Sequence, residues 1–295
     1  MAARLGHVLL DALRLRCDPS DRESAPRDGA AQMRAISANR FYAWLWRGLG
    51  ALIFVFMLGP LALVVLFSFA NTVVTTFPMQ GVSFKWYVAL TENIYFWDAL
   101  TNSLIVASAV GFVSTVFGTL AAMALARLHE SIAGPSMMLL SVPVMVPPLM
   151  VGIALMVFYV KVGLQLSLFT VILSHLVFTQ PFVILIVYAR MVGFNYATVE
   201  SARDLGASPL KAFFTVTLPI IRPTVIGAAL IAMALSLDDF IITFFTIAGG
   251  NTLPTFIWGM IRTQTDPTIN AIATLLVGLT VGLSIVAMVV TRYRG

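Results

Sequence analysis

The sequence predicts an all-α integral membrane protein with six spans, on three observations: its hydropathy, the length of its uncharged apolar runs, and the placement of its basic residues. Of the 295 residues, 59% are hydrophobic and 11% charged, with a mean hydropathy of +0.94; soluble domains carry about 25% charged residues. A hydrocarbon core about 30 Å thick needs about 20 apolar residues per helical span. Runs at about 48–70, 102–126, 136–160, 166–189, 223–248 and 267–291 meet that length, and only the fifth contains charge, at Asp238 and Asp239. Solid apolar runs, rather than weak two-residue alternation, select helices over a barrel.

Basic residues orient the spans. With the amino terminus inside, the inner segments collect Arg34, Arg40, Arg47, Arg127, Arg190, Arg203, Lys211, Arg222, Arg292 and Arg294, and the outer ones only Lys85, Lys161 and Arg262. This satisfies the positive-inside rule and places both termini in the cytoplasm. The formal charge of +5 is therefore a matter of membrane orientation, not of nucleic-acid binding. The single cysteine, Cys17, excludes an internal disulfide framework and a Cys-based metal site.

Residues 1–40 form a cytoplasmic N-terminal extension in which arginines alternate with acidic residues; its order, and whether Met33 is the true start, stay open. Its longest apolar stretch is broken by Asp11 and Arg14, so no cleaved signal is expected. Residues 41–295 form the six-helix transmembrane domain. Span three contains Pro143, Pro147 and Pro148, each removing a backbone donor and favouring a kink. Trp86, Tyr87, Tyr95, Trp97 and Trp258 suit an interfacial aromatic belt.

The inner loop 193–219 is the most patterned segment. Val199, Ala202 and Leu205 recur at helical spacing, Gly206 tolerates positive φ at a helix end, Ser208 is a cap, and Pro209 suits a first helical turn. Helix, sharp turn and helix are expected, with Leu218-Pro219 closing the second helix before span five.

The run Glu200-Ser201-Ala202-Arg203-Asp204-Leu205-Gly206, nine residues, then Val216-Thr217-Leu218-Pro219 resembles the EAA loop of ABC importer permeases. The resemblance extends over the membrane region and implies a type I importer permease fold whose coupling helix seats in a cytoplasmic ATPase. It implies Glu200, Ala202, Asp204, Leu205, Gly206, Ala207, Leu218 and Pro219 as ATPase-coupling residues; Ser201 replaces the commoner alanine. Trp97-Asp98-Ala99-Leu100-Thr101-Asn102-Ser103-Leu104, Leu235-Ser236-Leu237-Asp238-Asp239-Phe240 and Asp266-Pro267-Thr268-Ile269-Asn270-Ala271 resemble the second permease subunit of spermidine/putrescine importers. The partners so implied are a homologous permease in a heterodimer, two ATPase subunits and an external binding protein in a bacterial cytoplasmic (inner) membrane. No G-x-x-x-x-G-K-[ST] loop occurs, so the chain binds no cofactor itself, and ATP and Mg are used by the partner subunits.

A buried aspartate costs about 2.5–3.5 kcal/mol on an insertion scale, so two in one span need a cavity or partners. Asp238, Asp239, Ser236 and Trp86 are the candidate substrate-pathway residues, contacting an amine-bearing solute. The structural alternative is a pair satisfied by Ser236, Thr243 or a partner subunit. Polyamine permeases commonly carry proline followed by an acidic residue in span three, where this chain has Pro147-Pro148; this loosens the tie to a true polyamine. A different class, a self-sufficient proton- or cation-coupled secondary transporter, would use Asp238, Asp239 and His175, although a lone His175 bonded to a neighbouring helix is the blander expectation. No nucleophile–base pair or metal-ligand set supports an enzyme.

Overall fold

Local capping and proline chemistry decide where the helices begin and stop. The computed structural model describes residues 29–73, 79, 81–263 and 267–292. Residues 1–28 of the expected extension lie outside the described residues, as do Asp266 and Arg294. The described residues divide into two compact units, with the boundary between Leu61 and Ala62. Helix α1, Gly29–Phe67, begins inside the expected extension, and its span-like part is Trp44–Phe67.

In the second unit, α2 (Lys85–Glu92) leads into α3 (Ile94–Leu125). Asn93 starts α3 because its side-chain oxygen accepts the N–H groups of Tyr95 and Phe96 at 2.9 and 3.3 Å, replacing bonds that a first helical turn lacks. The third expected span is two helices, α4 (Glu130–Met145) and α5 (Pro148–Lys161), bent by 94°. The kink expected from the prolines of 136–160 is thus a full break between two helices. Val146 and Pro147 are extended, with ψ of 135° and 132°, because each precedes a proline that disfavours helical ψ; Pro148 then starts α5.

Helix α6 spans Leu168–Val192. Its end leads to α7 (Ala197–Asp204) and α8 (Pro209–Ala212), then to one π-helical turn, Phe213–Thr217, and α9 (Leu218–Asp238). After a break come α10 (Ile241–Thr246), α11 (Leu253–Thr263) and α12 (Thr268–Arg292). Among the described residues, five helices are long and apolar enough to cross a bilayer, or six with the bent pair counted as one.

Helices α3, α6, α9 and α12 make the bundle: α3 packs on α6 and α9, and α9 on α6 and α12, while α10 packs on α5 and α6. At one end of α3, Ala122 and Leu125 join Val187, Met191, Ile221 and Ala228 in a buried cluster. At its other end, Phe96 and Ala99 join Leu90, Leu253 and Ile272. Small residues bring α3 close to its neighbours. A Cβ on Gly118 would lie 2.6 Å from Val183 Cγ1, and one on Gly111 2.3 Å from Met233 Cγ. Close approach through glycine is how helices gain dispersion contacts where apolar burial gives little drive.

Candidate functional site: a helical loop and a cavity at a helix break

The 193–219 loop is built by its own sequence. Leu205 ends α7, Gly206 takes a φ of +86°, and two backbone bonds close the turn: Gly206 N–H to Arg203 O at 2.9 Å and Ala207 N–H to Ala202 O at 3.1 Å. These are the paired bonds of a Schellman ending, which needs a left-handed residue where Gly206 stands. Ser208 Oγ then accepts the Lys211 N–H at 3.3 Å, and Pro209 is the first residue of α8. An open notch of about 470 Å³ is lined by Glu200, Arg203, Asp204, Gly206, Ala207, Ser208 and Pro209. Val199 packs onto the cluster at the near end of α3. Leu205, by contrast, is 90% exposed, and Leu210 and Phe214 are exposed too. The Val199, Ala202 and Leu205 spacing therefore does not mark one buried stripe: its last member projects outward.

Leu218 and Pro219 stand apart from that turn. They do not close a helix, as expected, but lie in the first turn of α9. The π-helical turn, in which Leu218 N–H reaches Phe213 O, widens the helix where the Pro219 ring would otherwise meet the carbonyl four residues back. Pro209–Asp238 is consequently one apolar rod of 30 residues.

The expected span 223–248 is likewise corrected: α9 stops at Asp238, and Asp239 is extended with φ −73° and ψ 119°. Asp238 is thus the last helical residue and Asp239 the first of the break, instead of both lying in mid-helix. Asp239 Oδ2 accepts the Thr243 N–H at 2.9 Å and lies 3.2 Å from both Thr243 Oγ1 and His175 Nε2. Local bonding of an aspartate to a backbone N–H ahead of it competes with helix continuation. His175, 1% exposed, has its Nδ1 2.8 Å from Ser236 Oγ and its Nε2 2.9 Å from Thr243 Oγ1.

Asp238 is exposed and, with Asp239, Ile231, Ala234, Leu235, Thr280 and Ser284, lines a cavity of about 370 Å³. The hydroxyls of Thr280 and Ser284 donate to Leu276 O at 3.0 Å and Thr280 O at 2.9 Å along their own helix, which leaves oxygen lone pairs to accept. The structure thus brings Asp238 and Asp239 to one cavity wall but turns Ser236 to His175. Trp86 does not line this cavity: its Nε1–H donates to Ala70 O at 2.6 Å, and the ring packs beside the Leu90 and Leu253 cluster under Lys85. Thr280 and Ser284 escaped sequence reasoning because hydroxyls four apart are common in apolar helices and carry no signal until a carboxylate is placed opposite. No group of His, Cys, Asp and Glu that could hold a metal is found among the described residues.

A bundle of helices long and apolar enough to cross a bilayer defines a multi-pass membrane protein. The chain belongs to the family of binding-protein-dependent transport system inner membrane components, whose profile matches residues 114–295. It is the membrane permease component of a binding-protein-dependent ABC importer, a multi-pass inner-membrane protein. It is similar to the putrescine transport system permease protein PotI of Escherichia coli (strain K12), 31% identical over 233 residues, 76% of this chain and 83% of that one. It is also similar to the spermidine/putrescine transport system permease protein PotC of the same organism, 32% identical over 218 residues, 72% of this chain and 81% of that one. Its fold resembles that of a bacterial ABC transporter involved in the import of the acidic polysaccharide alginate, with a TM-score of 0.64 at 15% identity, covering 88% of this chain and 98% of the other.

Proposed function

We propose that this permease passes an amine-bearing solute, putrescine-like in its ammonium group, and that Asp238 receives that ammonium. The observation that carries this is the chemistry of the cavity beside the helix break. An ammonium offers three donors and no acceptor. Asp238 supplies a carboxylate, while Thr280 and Ser284, one helical turn apart, supply two hydroxyl oxygens whose protons are already given to carbonyls. Relatives bearing putrescine and spermidine/putrescine in their names support the same class.

The working assembly is this chain with a homologous permease, two ATPase subunits and an external binding protein, and both termini are cytoplasmic. The ATPase docks at the 193–219 loop. Exposed Leu205, Leu210 and Phe214 offer apolar anchors there, and Glu200, Arg203 and Asp204 set the register around the notch. Closure of the ATPase dimer then shifts the membrane helices between outward- and inward-facing populations. The chain performs no chemistry; hydrolysis belongs to the partner.

Uptake of labelled putrescine by the complete importer in proteoliposomes tests the solute site. Asp238→Asn should raise the KM about tenfold, the loss of a hydrogen-bonded charge pair, with assembly unchanged. Normal uptake by assembled Asp238→Asn and Asp239→Asn complexes alike would remove both aspartates from the solute's path.

A further inference from the structure

The two aspartates are adjacent in sequence but held in different ways. All the bonding of the Asp239 carboxylate falls on Oδ2, which faces Thr243 N, Thr243 Oγ1 and His175 Nε2, and its side chain is 12% exposed. Among the described residues no such contact is made by Asp238, which opens on the cavity. The proton arrangement follows from what each group can do. A carboxylate accepts only, so the Nε2 of His175 presents its N–H to Asp239 and Thr243, and Nδ1 accepts from the Ser236 hydroxyl. Each ring nitrogen of His175, the hydroxyls of Ser236 and Thr243, and Asp239 Oδ2 then have a partner, while Asp239 Oδ1 is outside this bonding.

The cluster also spans the break. Ser236 lies in the last turn of α9, Asp239 is the break itself, and Thr243 lies in α10, whereas His175 comes from α6. The far end of α10 is tied to the same helix, Thr170 Oγ1 lying 2.7 Å from Thr246 O. Helix α6 is itself anchored behind His175: Thr179 Oγ1 is 2.8 Å from His175 O and 2.8 Å from Ser114 Oγ on α3.

We propose that His175 is a positioning residue that ties the Asp239 carboxylate into the wall, so that the aspartate pair presents one carboxylate, Asp238, to a passing ammonium. This rests on the amine reading of the cavity. A transport site must bind a cation strongly enough to admit it and weakly enough to release it. Two adjacent carboxylates on one ammonium would hold it longer, and the His175 clamp removes the second.

The test uses the complete importer in proteoliposomes, with labelled putrescine as probe and binding-protein-stimulated ATP hydrolysis measured alongside. His175→Ala should release Asp239: the maximal uptake rate falls about tenfold while the KM falls, the pattern of over-tight ground-state binding. Adding Asp239→Asn to His175→Ala removes the second charge and should recover most of that rate. A purely packing role predicts the reverse, a double variant slower than either single one. His175→Gln keeps a donor for Asp239 and should transport within about threefold of the original. The clamp is overturned by unchanged kinetics in His175→Ala, by a double variant no faster than His175→Ala, or by failure of both the Ala and Gln variants to assemble. If the unaltered importer takes up no putrescine, the amine reading fails instead. The clamp is then scored by stimulated ATP hydrolysis, which should drop in His175→Ala and recover in the double variant; if it does not recover, the clamp falls too.

Discussion

At Gly206 a single backbone angle decides the shape of the 193–219 loop, the proposed docking surface for the ATPase. Its φ of +86° lies in the left-handed region, and the space around it is open, with nothing within 4 Å of where a Cβ would stand. Substitution there is therefore costly through conformation alone, about 1–2 kcal/mol for a residue with a Cβ. Gly206→Val should rotate α7 against α8 and lower ATPase association, while Gly206→Asn should be milder because asparagine visits this region more readily. Co-purification of the ATPase subunit with each variant measures this; equal recovery with valine and asparagine would show that the turn does not set the docking surface. This residue was legible from sequence because glycine, cap and proline act within a few positions of each other. The bonding of Asp239 was less so, since His175 is 61 positions from Ser236 and 68 from Thr243. Sequence spacing could place the aspartates in an apolar run and name Ser236 and Thr243 as possible satisfiers, but not choose which aspartate they would engage.

Between elements, the close crossings of α3 with α6 and with α9 depend on what lies opposite each small residue. A methyl on Gly118 would meet Val183 at Cγ1 and Cβ, 2.6 and 2.9 Å away, and valine in a helix has essentially one χ1 rotamer. A methyl on Gly111 would meet Met233 at Cγ and Sδ, and a methionine side chain can repack around it. Gly118→Ala should thus lower stability by about 1–3 kcal/mol through overpacking, and Gly111→Ala by less. Thermal unfolding in detergent compares the two directly, and an equal loss would mean that the Val183 contact with α6 yields as easily as the Met233 contact with α9. Proline effects at this scale were only partly readable. Pro147-Pro148 signalled a kink, and two successive pre-proline residues in extended backbone turned it into a 94° break. Leu218-Pro219 signalled a stop, but a π-helical turn upstream absorbed the clash and let the helix continue.

Across the second unit, that continuation links the two candidate sites. Apolar run lengths alone were enough to read a membrane bundle, because spanning requires them whatever the tertiary packing. They were silent on the rod Pro209–Asp238, since Lys211 and Arg222 interrupt its first half and set the apolar run to start at Pro223. The rod is 30 residues long, about 45 Å at 1.5 Å per residue. It begins beside the Gly206 turn, where the ATPase is proposed to dock, and ends at the aspartates, and its α9 part packs on α3, α6 and α12. A helix so supported is expected to carry a displacement of the loop to the cavity wall, which an insertion within it tests. One alanine inserted between Ala229 and Leu230 adds a rotation of about 100° between the two ends. Asp238 would then leave the wall shared with Thr280 and Ser284, while the loop keeps its own local geometry, which Gly206 and Ser208 determine. Importers carrying this insertion should retain the ATPase subunit and hydrolyse ATP, yet take up putrescine more than about tenfold more slowly, as expected when transition geometry is lost at one end only. Uptake that stays proportional to hydrolysis in the inserted variant would mean that motion reaches the cavity by another element, with α12 the next candidate because it forms the opposite wall.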